Sequence, residues 1–105
     1  MNQKIIVSTD TKSELQKIWE KHEIVLIKTL GEVIKKHRLA LNKSMYLISA
    51  ECGMSKSTWR EAELGVCKDI NLSTIWKIAD VLEISPSELL KEVEKKLSEN
   101  FSLSE

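Results

Sequence analysis

The chain has 105 residues, of which 42% are hydrophobic and 30% charged, and its formal net charge is zero. This length allows one compact domain with a terminal extension but not two ordinary domains. Only three glycines and one proline occur in a chain rich in helix-forming residues, which disfavours an all-β fold. Composition therefore predicts a folded all-α domain.

Several other classes are excluded by what the sequence lacks. The apolar run near the N-terminus covers only Ile5 to Val7, too short for a signal peptide or a membrane span, so we expect a cytoplasmic protein. Cys52 and Cys67 lack the spacing of a zinc site, and the two histidines are isolated from any candidate nucleophile. We expect no catalytic site, no metal and no cofactor.

Charge is unevenly distributed along the neutral chain. Residues 28–69 contain eight Lys/Arg and five Asp/Glu, whereas residues 83–105 contain three Lys/Arg and six Asp/Glu. The middle of the chain is therefore basic and the C-terminal part acidic. This pattern is typical of a protein with one localised basic face and a different role at its C-terminus.

The first 25 residues allow two interpretations. Residues 4–8 have the pattern of a short strand, and Thr11 or Ser13 can cap a helix. The apolar residues of that helix would be Leu15, Ile18 and Trp19. It would either precede the next helix or merge with it, so we expect an extension over residues 1–25 that contacts the domain or a partner.

A helix is predicted from Leu26 to Leu41, because apolar residues recur there every three or four positions. This stripe consists of Leu26, Ile27, Leu30, Val33, Ile34, His37 and Leu41. Asn42 then tolerates a left-handed backbone, and Ser44 can cap a second short helix from about Met45 to Glu51. The side chains expected to point inward from this second helix are Leu47, Ile48 and Cys52.

The stretch "GMSKSTWREAELG", residues 53–65, predicts a tight turn followed by a third helix. Gly53 can adopt positive φ, Ser55 can cap a helix over 56–64, and Gly65 can end it. Trp59 and Ala62 are three residues apart and are expected to face inward. The outward-facing residues are then Lys56, Ser57, Arg60 and Glu61. Two helices joined by a short glycine-containing turn have the layout of a helix-turn-helix.

Two further helices complete the predicted domain over residues 26–97. The fourth, about Leu72 to Leu82, is expected to be buried through Leu72, Ile75, Trp76, Ile78, Ala79 and Leu82. The fifth starts with Ser85 as cap, Pro86 at the first helical position and Glu88 at the third, the pattern of a capping box. Its stripe continues through Leu89, Leu90, Val93 and Leu97, and residues 98–105 are expected to form a flexible tail.

From Ile34 to Leu90 the chain resembles the phage Cro/CI-type helix-turn-helix family, also called XRE. The matching segments are "IKKHR", "SMYLISAECGMSKSTWREAELG", "INLSTIWKIADVLEIS" and "PSELL". The resemblance implies an all-α, five-helix lambda-repressor-like domain whose third helix enters the DNA major groove.

The resemblance also implies roles for particular residues. The positions that read bases are Ser55, Lys56, Ser57, Arg60 and Glu61. A lysine can donate to O6 and N7 of guanine, a glutamate can accept from N4 of cytosine, and a serine hydroxyl can contact a base or a phosphate. Candidates for phosphate contacts are Lys43, Ser44, Tyr46, Thr58 and Lys68. Arg38 and Glu63 match a pair that forms a structural salt bridge, so they are not expected to read DNA.

Two positions depart from the family pattern. Met45 stands where a phosphate-binding glutamine is common, so other groups must hold the DNA backbone. Trp59 stands where a smaller aliphatic residue is usual, and it is expected in the core, with a contact to the DNA backbone as the alternative.

Three functions are compatible with these features. The first is a dimeric repressor reading a palindromic operator, with its dimer contact from Leu90, Val93, Leu97, Phe101 and Leu103 or from Ile5 to Val7. The second is the antitoxin of a toxin–antitoxin pair, with residues 1–25 holding the toxin; a restriction–modification controller is closely related. The third is a protein-interaction module that has lost DNA binding.

Overall fold

The computed structural model describes residues 13–67 and 69–104, and it contains five helices and no strand in those ranges. The helices are α1 (Glu14–Ala40), α2 (Met45–Cys52), α3 (Lys56–Leu64), α4 (Leu72–Val81) and α5 (Pro86–Ser104). The predicted all-α, five-helix lambda-repressor-like architecture is confirmed. The strand expected over residues 4–8 and the phosphate candidate Lys68 lie outside the described residues.

Helix α1 begins at a capping box around Ser13. The Ser13 hydroxyl accepts a hydrogen bond from the backbone N–H of Gln16, and the Gln16 side chain accepts one from the backbone N–H of Ser13, both at 3.1 Å. From this cap the helix runs unbroken for 27 residues. The two predicted N-terminal helices have therefore merged, and no break in secondary structure separates the expected extension from the expected domain.

The core lies between the second half of α1 and the four shorter helices. Its largest fully buried side chains are Trp59, Ile34, Ile48, Ile78, Leu82, Leu89 and Val33. Trp59 is thus a core residue, as expected. Three side chains expected to be buried are exposed instead, namely Leu47, Leu72 and Trp76. Trp76 directly follows the buried Ile75, and consecutive helical residues are rotated by about 100°, which turns the indole to solvent.

Helices α1 and α5 run antiparallel and are joined by ion pairs. Lys36 and His37 of α1 both bind Glu92 of α5, and Lys96 lies 3.6 Å from Glu32. Two hydrogen bonds lower the pKa of Glu92, and the one from Lys36 has a larger effect than the one with His37. Because its folded-state pKa is lowered, this carboxylate stabilises the fold above its unfolded pKa, and the contribution disappears as pH falls through the folded value.

Helix α5 is longer than the sequence predicts. It continues to Ser104, so residues 98–104 have helical backbone where a tail was expected; the flexibility of this segment stays a prediction. Val93, proposed from the sequence as part of a dimer contact, is buried in the core of the chain itself and is not available to a partner.

The crossing of α1 and α3 depends on Gly31. A Cβ atom at this position would lie 2.5 Å from the carbonyl oxygen of Glu63 and 2.6 Å from that of Ala62. Any side chain larger than hydrogen would therefore push the two helices apart. The close approach brings the C-terminal turn of α3 directly against α1.

Replacing Gly31 with alanine should destabilise the fold by about 1–3 kcal/mol through overpacking, despite the higher helix propensity of alanine. Urea unfolding followed by circular dichroism measures the change. The matched control is Gly53→Ala, where φ is +74° but no atom lies within 4 Å of the new Cβ, so its cost comes from the backbone alone and should be about 1–2 kcal/mol. A Gly31→Ala variant as stable as the wild type would contradict the close crossing.

Candidate nucleic-acid interface

The turn between α2 and α3 is set by Gly53 and Ser55. Gly53 has φ +74°, and the N–H of Met54 donates to the carbonyl of Ser49 at 3.0 Å, which closes the end of α2. The Ser55 hydroxyl accepts the backbone N–H of Thr58 at 3.1 Å and so starts α3. Both roles were predicted from the sequence, and together they fix the angle between the two helices.

Helix α3 has one buried and one exposed side. Trp59, Ala62 and Glu63 are buried against α1 and α2. The exposed residues include four of the five base-reading candidates, which are Lys56, Ser57, Arg60 and Glu61. Leu64, exposed on the same side near the end of the helix, was not singled out from the sequence, because an apolar residue there also fits a core position.

Three side chains hold α3 against α1. Arg38 Nε lies 2.5 Å from Glu63 Oε2, and Arg38 Nη2 lies 3.0 Å from Glu63 Oε1, a two-point pairing. Trp59 Nε1 donates to Glu63 Oε2 at 2.7 Å. Both members of the ion pair are buried, and the hydrogen bond to Glu63 raises the pKa of Arg38. The sequence pattern did not predict the indole hydrogen bond, because the spacing of Trp59 indicates only that it belongs to the apolar core.

Arg38 also fixes the start of α2. Its Nη1 donates to the backbone carbonyl of Lys43 at 2.8 Å, in the connection between α1 and α2. One guanidinium therefore contacts α3 and the segment just before α2. The two helices of the motif are positioned by the same side chain.

Ser55 differs from the other base-reading candidates. Its hydroxyl accepts the Thr58 N–H and donates to Thr58 Oγ1 at 2.8 Å, so both of its roles are taken up inside the first turn of α3. Lys56, Ser57, Arg60 and Glu61 have no such contact among the hydrogen bonds and ion pairs of the described residues. The structure thus separates a capping residue, whose hydroxyl has partners within the helix, from four exposed residues without such contacts in the described part of the chain.

The phosphate candidates lie around the N-terminus of α2 and the first turn of α3. Tyr46 is exposed at the start of α2, where Ser44 caps the helix by accepting the N–H of Leu47 at 3.1 Å. The first backbone N–H groups of a helix have no partner within it and can bind a phosphate. Thr58 is exposed in the first turn of α3, where its backbone N–H donates to the Ser55 hydroxyl.

Lys43 has a partner that the sequence did not indicate. Its Nζ lies 2.8 Å from Glu51 Oε1, and that hydrogen bond raises the pKa of Lys43. A phosphate contact by Lys43 would have to share or replace Glu51. The pairing joins residues eight positions apart, beyond the reach of local helix spacing.

The described residues lack two features that would point to other functions. No group of three or more metal-binding side chains lies together there. No helix in that part of the chain has the length and apolar content needed to cross a membrane.

Removing the charge of Glu63 should weaken the fold strongly. In Glu63→Gln the buried Arg38 loses its counter-charge, and breaking a buried pair in this way costs about 3–5 kcal/mol. Trp59→Phe keeps an aromatic ring in the core but removes one donor to Glu63, with a smaller expected cost of about 1–2 kcal/mol. Urea unfolding of both variants gives the two values. Equal stability of Glu63→Gln and wild type would show that the carboxylate does not hold α3.

Comparisons with known proteins agree with this geometry. The helix-turn-helix family model HTH_3 matches residues 34–89, more than half of the chain. A search of curated proteins found no match. Among solved structures, the clp gene regulator ClgR from Corynebacterium glutamicum superposes with a TM-score of 0.69 at 16% identity, over 75% of this chain and 83% of ClgR. This likeness, at low identity, concerns the fold.

A second solved structure is more similar in sequence. The restriction-modification controller protein C.AhdI from Aeromonas hydrophila matches with a TM-score of 0.59 and 29% identity, over 65% of this chain and 96% of C.AhdI. The family match covers α2, the turn and α3 in full. The chain belongs to the helix-turn-helix family of the XRE type, a family of DNA-binding transcription regulators.

Proposed function

We propose that this protein is a sequence-specific repressor that binds a palindromic operator as a homodimer, with α3 in the major groove. The observation that carries this proposal is the exposed surface of α3, where Ser57, Arg60 and Glu61 share the side opposite the core and Lys56 is exposed at the first turn. A helix of this kind inserts its N-terminal turns against base edges.

The chemistry of the four side chains determines what they can distinguish. Lys56 and Arg60 can donate to O6 and N7 of guanine, and Glu61 can accept from N4 of cytosine. Ser57 can donate or accept. An acidic residue among two basic ones is poorly suited to indiscriminate phosphate binding, which favours selection of particular bases over general attraction to DNA.

Backbone contacts supply the register. We assign them to the N-terminus of α2, with Ser44, Tyr46 and the free N–H groups, and to Thr58 at the first turn of α3. Lys43 and Lys68 extend the same set. With Met45 in place of a glutamine, fewer side chains hold the phosphates, so we expect a modest dependence of affinity on salt.

A two-fold arrangement follows from the small size of one reading helix. A single helix contacts only a few base pairs, and two half-sites about 34 Å apart double the sequence that is read. The clp gene regulator ClgR and the restriction-modification controller protein C.AhdI have this fold, which supports a regulatory role. Occupying a promoter is then the simplest mechanism of repression.

We assign no enzymatic activity and place the protein in the cytoplasm with its DNA target.

Selection of bound sequences from a random duplex pool tests this assignment. The wild type should enrich a palindrome with two similar half-sites. A Lys56→Ala, Ser57→Ala double variant should bind it at least about tenfold more weakly, since each base contact contributes roughly 1–3 kcal/mol. The matched control is Lys95→Ala, an exposed lysine beside the groove between α1 and α5, which should bind like the wild type.

The same selection experiment can refute the assignment of α3 as the reading helix. If no sequence is enriched, or if the double variant and the wild type enrich the same site with equal affinity, α3 is not reading bases. Repeating the binding at several salt concentrations then separates a weak electrostatic contact, which is lost with salt, from an apolar protein interface, which is not.

A further inference from the structure

The first half of α1 has no cover from the rest of the described chain. Every residue from 13 to 24 is exposed, although the backbone is helical from Glu14 onward. An isolated helix of this length is marginal in water. This segment continues the packed second half of α1, but its own side chains are not packed against the rest of the described chain.

One side of this segment is apolar. Leu15, Ile18 and Trp19 follow the three-to-four-residue spacing of a helix face, and we call these three residues the α1 stripe. Leu15 is 73% exposed and Trp19 is 67% exposed. The Trp19 ring meets His22 edge-on at a centroid distance of 6.2 Å, so the stripe continues one turn further. A large exposed aromatic residue of this kind is typical of the centre of a protein interface.

The α1 stripe lies beyond the point where α5 ends. From Glu92 to Lys96, α5 advances four residues while its partners on α1 go back four, from Lys36 to Glu32. At that rate its last residue, Ser104, stands opposite about residue 24 of α1. The face of α1 that α5 covers further along the helix is thus left open from residue 24 to residue 14.

We propose that a second copy of this chain occupies the α1 stripe, with the two α1 helices antiparallel about a two-fold axis near Ile18. In this arrangement Leu15 of each copy packs against Ile18 of the other, and the two Trp19 rings meet at the axis. An isologous contact of this kind uses the same surface twice and closes as a dimer.

Charges beside the stripe fit the antiparallel arrangement. Glu14 and Lys21 are seven residues apart, so they lie on the same edge of the helix. Antiparallel pairing places Glu14 of one copy beside Lys21 of the other, twice. A parallel pair would bring residues of equal number side by side and gain neither pairing. Among the described residues, Glu14 has only an exposed contact with Lys17 at 4.0 Å, which competes weakly.

This inference rests on the proposed function, because it names the second subunit that a palindromic operator needs. The contact is short, and interfaces of small area are typically weak. We therefore expect a micromolar dimer in free solution that forms fully on a two-half-site operator.

Sedimentation equilibrium of the full chain without DNA tests the interface. Wild type should be a monomer–dimer mixture, and Trp19→Glu should raise the dimer dissociation constant by at least about tenfold. Ile24→Glu is the matched control, because Ile24 is also exposed but lies on the opposite side of the same helix. Trp76→Glu places the same change on the exposed face of α4. Circular dichroism verifies that each variant is folded.

A charge exchange tests the antiparallel direction. Glu14→Lys should weaken the dimer, and adding Lys21→Glu should restore it, because the reversed charges again meet across the axis. A monomeric wild type, or a dimer broken by Trp76→Glu and not by Trp19→Glu, would overturn the proposal. Since no DNA is present, failure here is distinct from failure of α3 to select a sequence.

Discussion

The buried carboxylate of Glu63 is the group on which the orientation of α3 depends. It accepts hydrogen bonds from Arg38 Nε, Arg38 Nη2 and Trp59 Nε1, at 2.5, 3.0 and 2.7 Å. Trp59 and Glu63 are one helical turn apart, so fixing both of them fixes the rotation of α3 about its own axis. The side opposite this network presents Ser57, Arg60 and Glu61, and Lys56 is exposed at the first turn of the helix.

A buried ion pair is weak evidence for stability, because desolvation offsets much of the attraction between the charges. Its value in this fold is geometric. Apolar packing alone permits α3 to slide or turn against α1, whereas a two-point guanidinium–carboxylate contact permits one arrangement. Gly31 complements it by letting the end of α3 approach the backbone of α1. Reading bases requires a fixed orientation of α3, since a small rotation of the helix would move every side chain on its exposed face.

Local signals in the sequence predicted most of the fold. The limits of α3 at Lys56 and Leu64 were obtained from Ser55 and Gly65 alone, because a cap and a left-handed residue each act within one turn. What could not be predicted depends on residues far apart in sequence. The Lys43–Glu51 pair, the binding of Glu92 by Lys36 and His37, and the solvent exposure of Leu47 and Trp76 are set by how helices pack. Local rules also fail at Glu83, which adopts φ +65°, a backbone conformation for which glycine would be expected.

The proposed repressor function requires that the fixed, solvent-facing side of α3 reads DNA. Backbone amide chemical shifts of the full chain, measured as a selected duplex is added, test this most directly, with a scrambled duplex of equal length as reference. If α3 reads the bases, the largest changes will occur at residues 55–61, with smaller ones at residues 44–46. Changes confined to the exposed face of α4 or to residues 14–24, with residues 55–61 unmoved, would contradict it.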